Sequence, residues 1–116
     1  MWKIVGETAF FESGEFAFGS AIYTVAHGLG GTPKTFSAII RCKVAENGYS
    51  VGDEIDVTTG GYYNWFMNSM LASSTLLTFM TYTPSYFVVH NRTNPNQGGM
   101  WTASATNWVL VLRAWR

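Results

Sequence analysis

The chain has 116 residues, of which 47% are hydrophobic, 16% are aromatic and only 12% are charged. This length suits a single domain, and the charged share is about half of that in average soluble domains. Seven Lys and Arg residues balance seven Asp and Glu residues, and like charges do not cluster, which excludes the basic surface that nucleic-acid binding requires. So few charges predict a homo-oligomer whose protomers cover one another's apolar surface.

Eight segments are predicted to be strands, because they alternate in hydrophobicity or are rich in β-branched and aromatic residues. In chain order they are Trp2 to Phe10, Phe16 to Ala26, Lys34 to Ala45, Asp53 to Thr58, Tyr63 to Asn68, Thr75 to Tyr82, Tyr86 to Asn91 and the last ten residues. The alternation is clearest in the third segment, where Cys42 falls on the apolar side. In the last segment both faces are largely apolar, so we expect its second face to meet another sheet or another subunit.

Turn signals separate these segments, since Gly and Asn tolerate positive φ and Pro presets a turn. The turns are predicted at Asn47-Gly48, Gly60-Gly61, Thr83 to Ser85 and Thr93 to Gly99. The best helical candidate, Trp65 to Leu77, is interrupted by Asn, Ser and Thr, which disfavour helix interiors. The pattern predicts one domain over residues 1 to 116 with an all-β fold, an antiparallel β-sandwich of about six to eight strands.

The sequence also bears on the compartment in which the protein is made. Cys42 is the only cysteine, so we expect a small buried residue and no internal disulfide. The first 15 residues carry three glutamates and no continuous apolar run, unlike a secretory signal. No apolar run approaches the roughly 20 residues that a membrane-spanning helix needs. We therefore expect synthesis in a cytoplasm and no membrane insertion.

The most distinctive stretch is His-Gly-Leu-Gly-Gly-Thr-Pro, which begins at His27 and ends at Pro33. A histidine beside several glycines also occurs in the oxyanion loop of some lipases and esterases. That interpretation fails here, because the G-x-S-x-G nucleophile elbow is absent and the chain is too short for an α/β-hydrolase framework. We favour a sharp glycine turn between two strands, with Pro33 fixing the entry into the second strand.

A second motif, Glu-Asn-Gly-Tyr-Ser-Val-Gly-Asp-Glu, follows the next predicted strand at residues 46 to 54. With these motifs and its final strand, the chain resembles a family of small domains in phage tail fibres and related virion proteins, over Thr24 to Val57 and Trp101 to Arg116. The resemblance implies an H-type lectin-like β-sandwich, a trimer at the outer tip of a virion appendage, and contact with host-surface glycans. The matching motif residues are interpreted as fold determinants, namely His27, Gly28, Gly30, Pro33, Gly48, Tyr49, Gly52 and Asp53.

A glycan site has to come from other residues, because such sites are usually built from aromatic rings that stack on sugar faces beside hydrogen-bonding side chains. Two aromatic clusters qualify, one after a Gly-Gly turn and one flanking the long polar loop. The candidates are Tyr62, Tyr63 and Trp65 in the first cluster, and His90, Asn91, Arg92 and Trp101 in the second. Packing in the core or between subunits is the competing interpretation for each of them.

Metal binding and catalysis find little support in the sequence. Asp53, Glu54 and Asp56 lie close together, but they lack the spacing of a known calcium loop, so a charged hairpin edge is the better interpretation. Glycosidase chemistry needs two carboxyls about 5 to 9.5 Å apart, and none of the other glutamates lies in an apolar stretch that would raise its pKa. The two histidines and one cysteine form no recognisable triad. We predict no metal, no cofactor and no enzyme activity.

Three functional hypotheses remain open. The first is a protein of the virion exterior, made in the host cytoplasm, that attaches a phage to its host through weak multivalent contacts with carbohydrate. The second is a purely structural virion protein, such as a capsid decoration or a fibre adaptor, with no glycan ligand. The third, a bacterial or eukaryotic defence lectin, is disfavoured by the lack of paired cysteines and of a signal peptide. The first two make other virion proteins partners of the chain.

Overall fold

A computed structural model describes residues 2–5, 8–58, 68–81, 86–90 and 100–116, with side chains over residues 9–58, 68–81 and 103–116. The described residues contain no helix, which confirms the all-β prediction. Their strands are, in chain order, β1 (Trp2–Val5), β2 (Thr8–Glu12), β3 (Ile22–Ala26), β4 (Thr35–Cys42), β5 (Glu54–Asp56), β6 (Asn68–Ala72), β7 (Leu76–Thr81), β8 (Tyr86–His90), β9 (Met100–Ser104) and β10 (Trp108–Trp115). Every pair of hydrogen-bonded strands is antiparallel.

The larger sheet has five strands in the order β1-β2-β10-β4-β5. Its centre is the pairing of β10 with β4, which runs along the full length of both strands. These two strands have the clearest alternation in the sequence, and their inner faces bury Ile40, Leu110 and Leu112 completely. Cys42 is buried on the same face, as predicted.

The smaller sheet has three strands in the order β3-β7-β6. Its inner face contributes Tyr23, Leu77 and Phe79 to the core cluster that also holds Ile40 and Leu112 of the larger sheet. The two sheets therefore face each other across one core, which is the arrangement of a β-sandwich. The predicted antiparallel sandwich is confirmed, while the trimer stays a prediction.

The remaining strands, β8 and β9, form a two-stranded ribbon. Its register places Tyr86 opposite Ser104 at one end and His90 opposite Met100 at the other. Ala103 is fully buried and belongs to the core cluster, so one end of the ribbon is anchored in the sandwich. From that end, a three-residue turn leads into β10.

Some strand boundaries differ from the prediction. The segment Trp2 to Phe10 is two strands rather than one, because Val5 pairs with Thr8 and the chain must reverse between them. The segment Phe16 to Ala26 is a strand only from Ile22 onward. β6 and β9 lie largely where the pattern predicts no strand, because each has only five residues that mix polar and apolar types. Among the described residues, the two sheets of the sandwich have eight strands, within the six to eight expected, and the β8–β9 ribbon adds two.

The chain continues along β10 beyond the end of β2 through a bulge. Ser13 N donates to Leu112 O, and Phe16 N donates to Leu110 O, both at 2.8 Å. Gly14 and Glu15 therefore lie opposite the single residue Val111. Two residues opposite one is the arrangement of a β-bulge. A bulge re-aims the side chain it carries, and here it turns Glu15 towards the outer face of the larger sheet.

Candidate functional site

His27 is buried, and both of its ring nitrogens are engaged. Nδ1 accepts a hydrogen bond from the backbone N–H of Leu29 at 3.0 Å, and Nε2 donates one to the carbonyl of Ser73 at 2.9 Å. The imidazole is therefore the neutral Nε2–H tautomer, with no nitrogen left for a substrate. Gly28, between His27 and Leu29, has a φ of 66°. The histidine ties the glycine loop to the turn between β6 and β7.

The glycines that follow make room for the last residue of the chain. Arg116 Nη1 donates to Leu29 O at 2.8 Å, and the guanidinium lies against the backbone of Gly30 and Gly31. A Cβ at either glycine would lie 3.0 Å from a guanidinium nitrogen, and Gly30 has a φ of 78°, which L residues rarely adopt. Pro33 is buried just before β4. The side chain of Arg116 thus holds this glycine loop in place.

The second motif forms a tight turn against β10. Asn47 and Gly48 have φ values of 54° and 86°, which reverse the chain so that Glu46 pairs with Tyr49. The Tyr49 ring packs edge-on against Trp108, with 5.3 Å between ring centroids. The Tyr49 side chain of this turn thus packs against the hydrophobic core.

A second reversal follows at once and returns the chain to β4. Gly52 has a φ of 96°, and its N–H donates to Cys42 O at 2.8 Å. Asp53 Oδ2 accepts the N–H of Ser50 at 2.8 Å, while the Asp53 carbonyl accepts the N–H of Cys42 at 2.8 Å. These contacts are internal to the turn and its junction with β4.

Glu46 is the motif residue whose importance the sequence does not reveal. Its carboxylate accepts three hydrogen bonds, from Trp108 Nε1 at 2.5 Å, from Asn107 Nδ2 at 2.8 Å and from Ser104 N at 3.2 Å. The donors lie 58 to 62 residues away in sequence, so only a contact between distant segments could have predicted them. Glu46 joins the turn of the second motif to the turn between β9 and β10.

The three carboxylates considered as a calcium site are directed to different partners. Asp53 accepts from Ser50 within its own turn, and Asp56 Oδ1 accepts from the N–H and the hydroxyl of Thr58 at 2.9 and 2.6 Å. Glu54 accepts from two arginines instead. Their oxygens do not converge on one point.

The residues predicted to bind glycan fall mostly outside the described residues, namely Tyr62, Tyr63, Trp65, Asn91 and Arg92. His90 and Trp101 lie in β8 and β9, and only the backbone of these two residues is described. The register pairs His90 with Met100 and Trp101 with Val89. Because successive strand residues alternate, the His90 and Trp101 positions lie on opposite faces of the ribbon. The two loop clusters stay predictions.

A network of six charged side chains lies on the outer face of the larger sheet, and we call it the charged network. Its members are Glu12, Glu15, Arg41, Lys43, Glu54 and Arg113. Arg113 donates from Nη1 and Nη2 to the two oxygens of Glu54, each at 2.9 Å, and from Nε to Glu12 Oε1 at 2.7 Å. A two-pronged guanidinium–carboxylate contact of this kind is the strongest form of the ion pair.

The other half of the charged network is centred on Arg41. It donates from Nε and Nη2 to Glu54 Oε2 at 3.0 and 2.9 Å, and from Nη1 to Glu15 Oε2 at 3.1 Å. Lys43 Nζ also donates to Glu15, at 3.1 Å. The bulge after β2 places Glu15 within reach of both cations. Cations from β4 and β10 are thereby joined to carboxylates from β2, the bulge and β5.

The charged network covers two apolar residues on the outer face. Val111 is completely buried and Ile39 is 6% exposed, although the alternation turns both away from the core. Val111 lies two residues before Arg113 on β10, and Ile39 two residues before Arg41 on β4, so the ion pairs of the two arginines bridge over them. At Val111, the second face of β10 is therefore covered from within the chain, rather than by another sheet or subunit as expected.

The paired cations lower the pKa of two carboxyls in the charged network. The pKa of Glu54 lies below its ordinary value, chiefly because Arg113 donates to it, with Arg41 adding to the effect. Hydrogen bonds from Lys43 and then Arg41 lower the pKa of Glu15. Burial raises the pKa of the Cys42 thiol instead, which opposes the formation of a reactive thiolate.

No protein-family model, curated protein or solved structure matches the chain. The resemblance to phage tail-fibre domains therefore stays a prediction. Within the described ranges, no group of three His, Cys, Asp or Glu side chains is placed to hold a metal ion. No helix in that part of the chain is long and apolar enough to cross a membrane.

The smaller sheet differs from the larger one in having no charged residue in any of its three strands. We call its outer side the uncharged face, and its positions are Ile22, Thr24, Ala26, Ser69, Leu71, Leu76, Thr78 and Met80. Ile22 is 59% exposed, Leu71 58% and Leu76 41%. Large aliphatic side chains therefore stand in water on a surface that offers no compensating charge.

Proposed function

We propose that the chain is a non-catalytic protein of a virion appendage, of tail-fibre or head-spike type, that contributes to host-surface attachment as a homo-oligomer. Attachment would occur through weak, multivalent binding of carbohydrate on the particle exterior. The observation that carries the proposal is the uncharged face of the smaller sheet. The resemblance of the two glycine motifs to phage tail-fibre domains supports the virion context.

The edges of the smaller sheet support assembly. β3 and β6 are its edge strands, and natural proteins usually protect such edges with charged side chains, proline or bulges. Neither strand contains a charged residue or a proline. An uncharged face with exposed aliphatic side chains is suited to contact with another copy of the chain. We therefore place a contact between copies of the chain on this face.

The size of the face sets the strength expected of that contact. Three strands about 4.8 Å apart and about 17 Å long cover roughly 250 Å². Stable interfaces bury about 800 Å² on each partner, so the uncharged face supplies only part of an interface. Association is expected to depend on protein concentration, and neighbouring surface must contribute.

An oligomer gives weak sites a function that a monomer lacks. Linked copies raise the overall avidity by about two to four orders of magnitude over a single site. Catalysis finds no support beside this, because the described carboxylates of Glu46 and Glu54 and the ring of His27 are engaged in hydrogen bonds within the fold. We accordingly propose binding without turnover.

Sedimentation velocity over a range of protein concentrations tests the assembly. The wild-type chain should associate, and Leu71→Lys should weaken association by about tenfold or more, because like charges that face each other at an interface cost several kcal/mol. Val51→Lys is the matched control, since Val51 is 65% exposed on a turn outside the smaller sheet. A monomeric wild-type chain at every concentration would overturn the homo-oligomer, and equal association of Leu71→Lys and wild type would overturn the uncharged face as its interface.

The attachment part needs a separate measurement. Binding of the oligomer to immobilised host-surface polysaccharide should be detectable and should be lost in the monomeric Leu71→Lys variant. An oligomer that binds no polysaccharide would overturn the attachment function and favour the purely structural virion protein. The uncharged face is also suited to docking on a different virion protein. A chain that is monomeric in solution but co-purifies with assembled particles would indicate that role.

A further inference from the structure

The outer face of the larger sheet carries an aromatic pair at one end of the charged network. Phe10 of β2 stands opposite Trp115 of β10 in the register, and their ring centroids lie 5.2 Å apart with planes tilted by 41°. Both residues are only half-buried. Thr35 of β4 completes this row on the other side of Trp115 and is exposed.

The next row along the same face is polar. Glu12, Arg113 and Ser37 stand side by side on β2, β10 and β4. Same-face residues on a strand are about 6.8 Å apart, and neighbouring strands about 4.8 Å. Hydrogen-bonding groups therefore lie within one sugar ring's reach of the aromatic pair. We call the two rows the platform.

The polar row retains hydrogen-bonding capacity. Within the part of the chain that the structure describes, the hydroxyls of Thr35 and Ser37 and the Oε2 atom of Glu12 have no hydrogen-bond partner. Arg113 has five N–H donors and uses three of them, toward Glu12 and Glu54. Donors and acceptors are thus both available, and ion pairs hold the side chains of Glu12 and Arg113 in place.

The charge of this face indicates what it can bind. The charged network contains three cations and three carboxylates, so the surface attracts neither polyanions nor polycations. A surface whose charged network is balanced, and which combines an aromatic ring with free hydroxyls and a carboxylate oxygen, fits a ligand with an apolar ring face and several hydroxyl groups. Among biological surfaces, that description fits a neutral saccharide.

We propose that the platform binds a neutral saccharide, with the sugar ring stacked on Trp115 and its hydroxyls bonded to Ser37, Glu12 and Arg113. The proposal rests on the proposed function, because it locates a binding place for the carbohydrate named there. It differs from the two loop clusters predicted from the sequence, since it lies on the sheet itself. Strand-borne side chains are positioned more firmly than those of loops, so the site is preformed.

The test compares matched variants on an array that contains neutral oligosaccharides of glucose, galactose or mannose together with acidic ones, followed by titration calorimetry with those that bind. Trp115→Val removes the ring but keeps a residue suited to strands, and Ser37→Ala removes a hydroxyl with little effect on packing. We expect the Kd to rise about tenfold or more for Trp115→Val, and several-fold for Ser37→Ala, the range of one lost hydrogen bond. The control is Ser74→Ala, in the exposed turn between β6 and β7, and Trp65→Ala tests the predicted loop cluster as the competing site.

The outcomes separate the platform from the proposed function. Binding that is weaker in Trp115→Val and Ser37→Ala than in the Ser74→Ala control supports the platform. Binding that is lost only in Trp65→Ala overturns the platform and leaves the proposed function standing. A wild-type oligomer that binds only acidic saccharides overturns the platform. A wild-type oligomer that binds no saccharide at all overturns both the platform and the glycan-binding function. Should Trp115→Val fail to fold, Ser37→Ala decides on its own.

Discussion

The carboxylate of Glu46 offers the sharpest test of how this fold is held together. It lies in the turn of the second motif and accepts hydrogen bonds from Trp108, Asn107 and Ser104. Trp108 is almost completely buried, so water cannot replace the carboxylate at its indole N–H. Glu46→Ala therefore leaves a buried donor without an acceptor.

The expected loss of stability follows from these three contacts. A buried unsatisfied donor costs about 1–3 kcal/mol, and a hydrogen bond to a charged group contributes about 1.5–3 kcal/mol. The donors of Ser104 and Asn107 are nearer the surface and regain part of this from water. We expect Glu46→Ala to lower the free energy of unfolding by about 2–4 kcal/mol, a large part of the roughly 5–15 kcal/mol of a typical domain. Glu46→Gln should cost less, because its carbonyl oxygen can replace the Oε2 atom that accepts from Trp108 and Ser104, and only the contact with Asn107 is lost.

Urea unfolding followed by tryptophan fluorescence measures this loss. The matched control is Glu15→Ala, which removes a carboxylate of the same kind from the surface, where its side chain is 39% exposed beside Arg41 and Lys43. Exposed ion pairs contribute little to stability, so the control should change the free energy of unfolding little. If Glu46→Ala lost less than about 1 kcal/mol, or no more than Glu15→Ala, the buried carboxylate would not be the anchor that its geometry indicates.

Three further predictions concern other parts of the fold. The pKa of Glu54 in the folded state lies below its ordinary value of 4.5. Its stabilising contact with Arg113 is therefore fully present above pH 4.5 and is lost as the pH falls through the folded-state pKa. Glu54→Gln should make the free energy of unfolding depend less on pH in the acid range. The buried Cys42 thiol, whose pKa burial raises, should react with a thiol reagent such as DTNB only at the rate of unfolding, and fast labelling in native buffer would contradict this. Gly31→Ala should destabilise the wild-type chain by about 1 kcal/mol, because the added Cβ would meet the guanidinium of Arg116. In an Arg116→Ala background the same substitution should cost less. An equal loss of stability in both backgrounds of this double-mutant cycle would refute the contact.

The sequence predicts well those elements whose signal is local. β4 and β10 have a two-residue alternation over eight residues each, and both are found where predicted because burial of one face imposes that period. The boundary between β1 and β2 escapes prediction, since the hydrophobic pattern continues across a reversal that pairs Val5 with Thr8. β9 escapes because its strand signal is short and follows a stretch of sequence rich in Asn and Gly.

The candidate site is less predictable, because its contacts join distant parts of the chain. The charged network brings together residues near 12, 41, 54 and 113, and no local pattern specifies such a combination. Glu15 joins the network only through the bulge opposite Val111, and a bulge adds one residue without any sequence rule that fixes its place. The platform depends in the same way on the register between β2, β10 and β4.

The low charged share of the chain has a different meaning once the two sheets are distinguished. Taken from the composition alone, a charged share of 12% indicates a surface that is poor in charge on every side. In the structure, the larger sheet has paired charges dense enough to bury Val111 beneath them, whereas β3, β6 and β7 have none. The shortage of charge among the described strands therefore falls on the smaller sheet and on the β8–β9 ribbon, and the edges of the smaller sheet lack the usual protection against pairing. The same partition leaves the larger sheet free to face water, so assembly through one sheet and ligand contact through the other would not compete for the same surface.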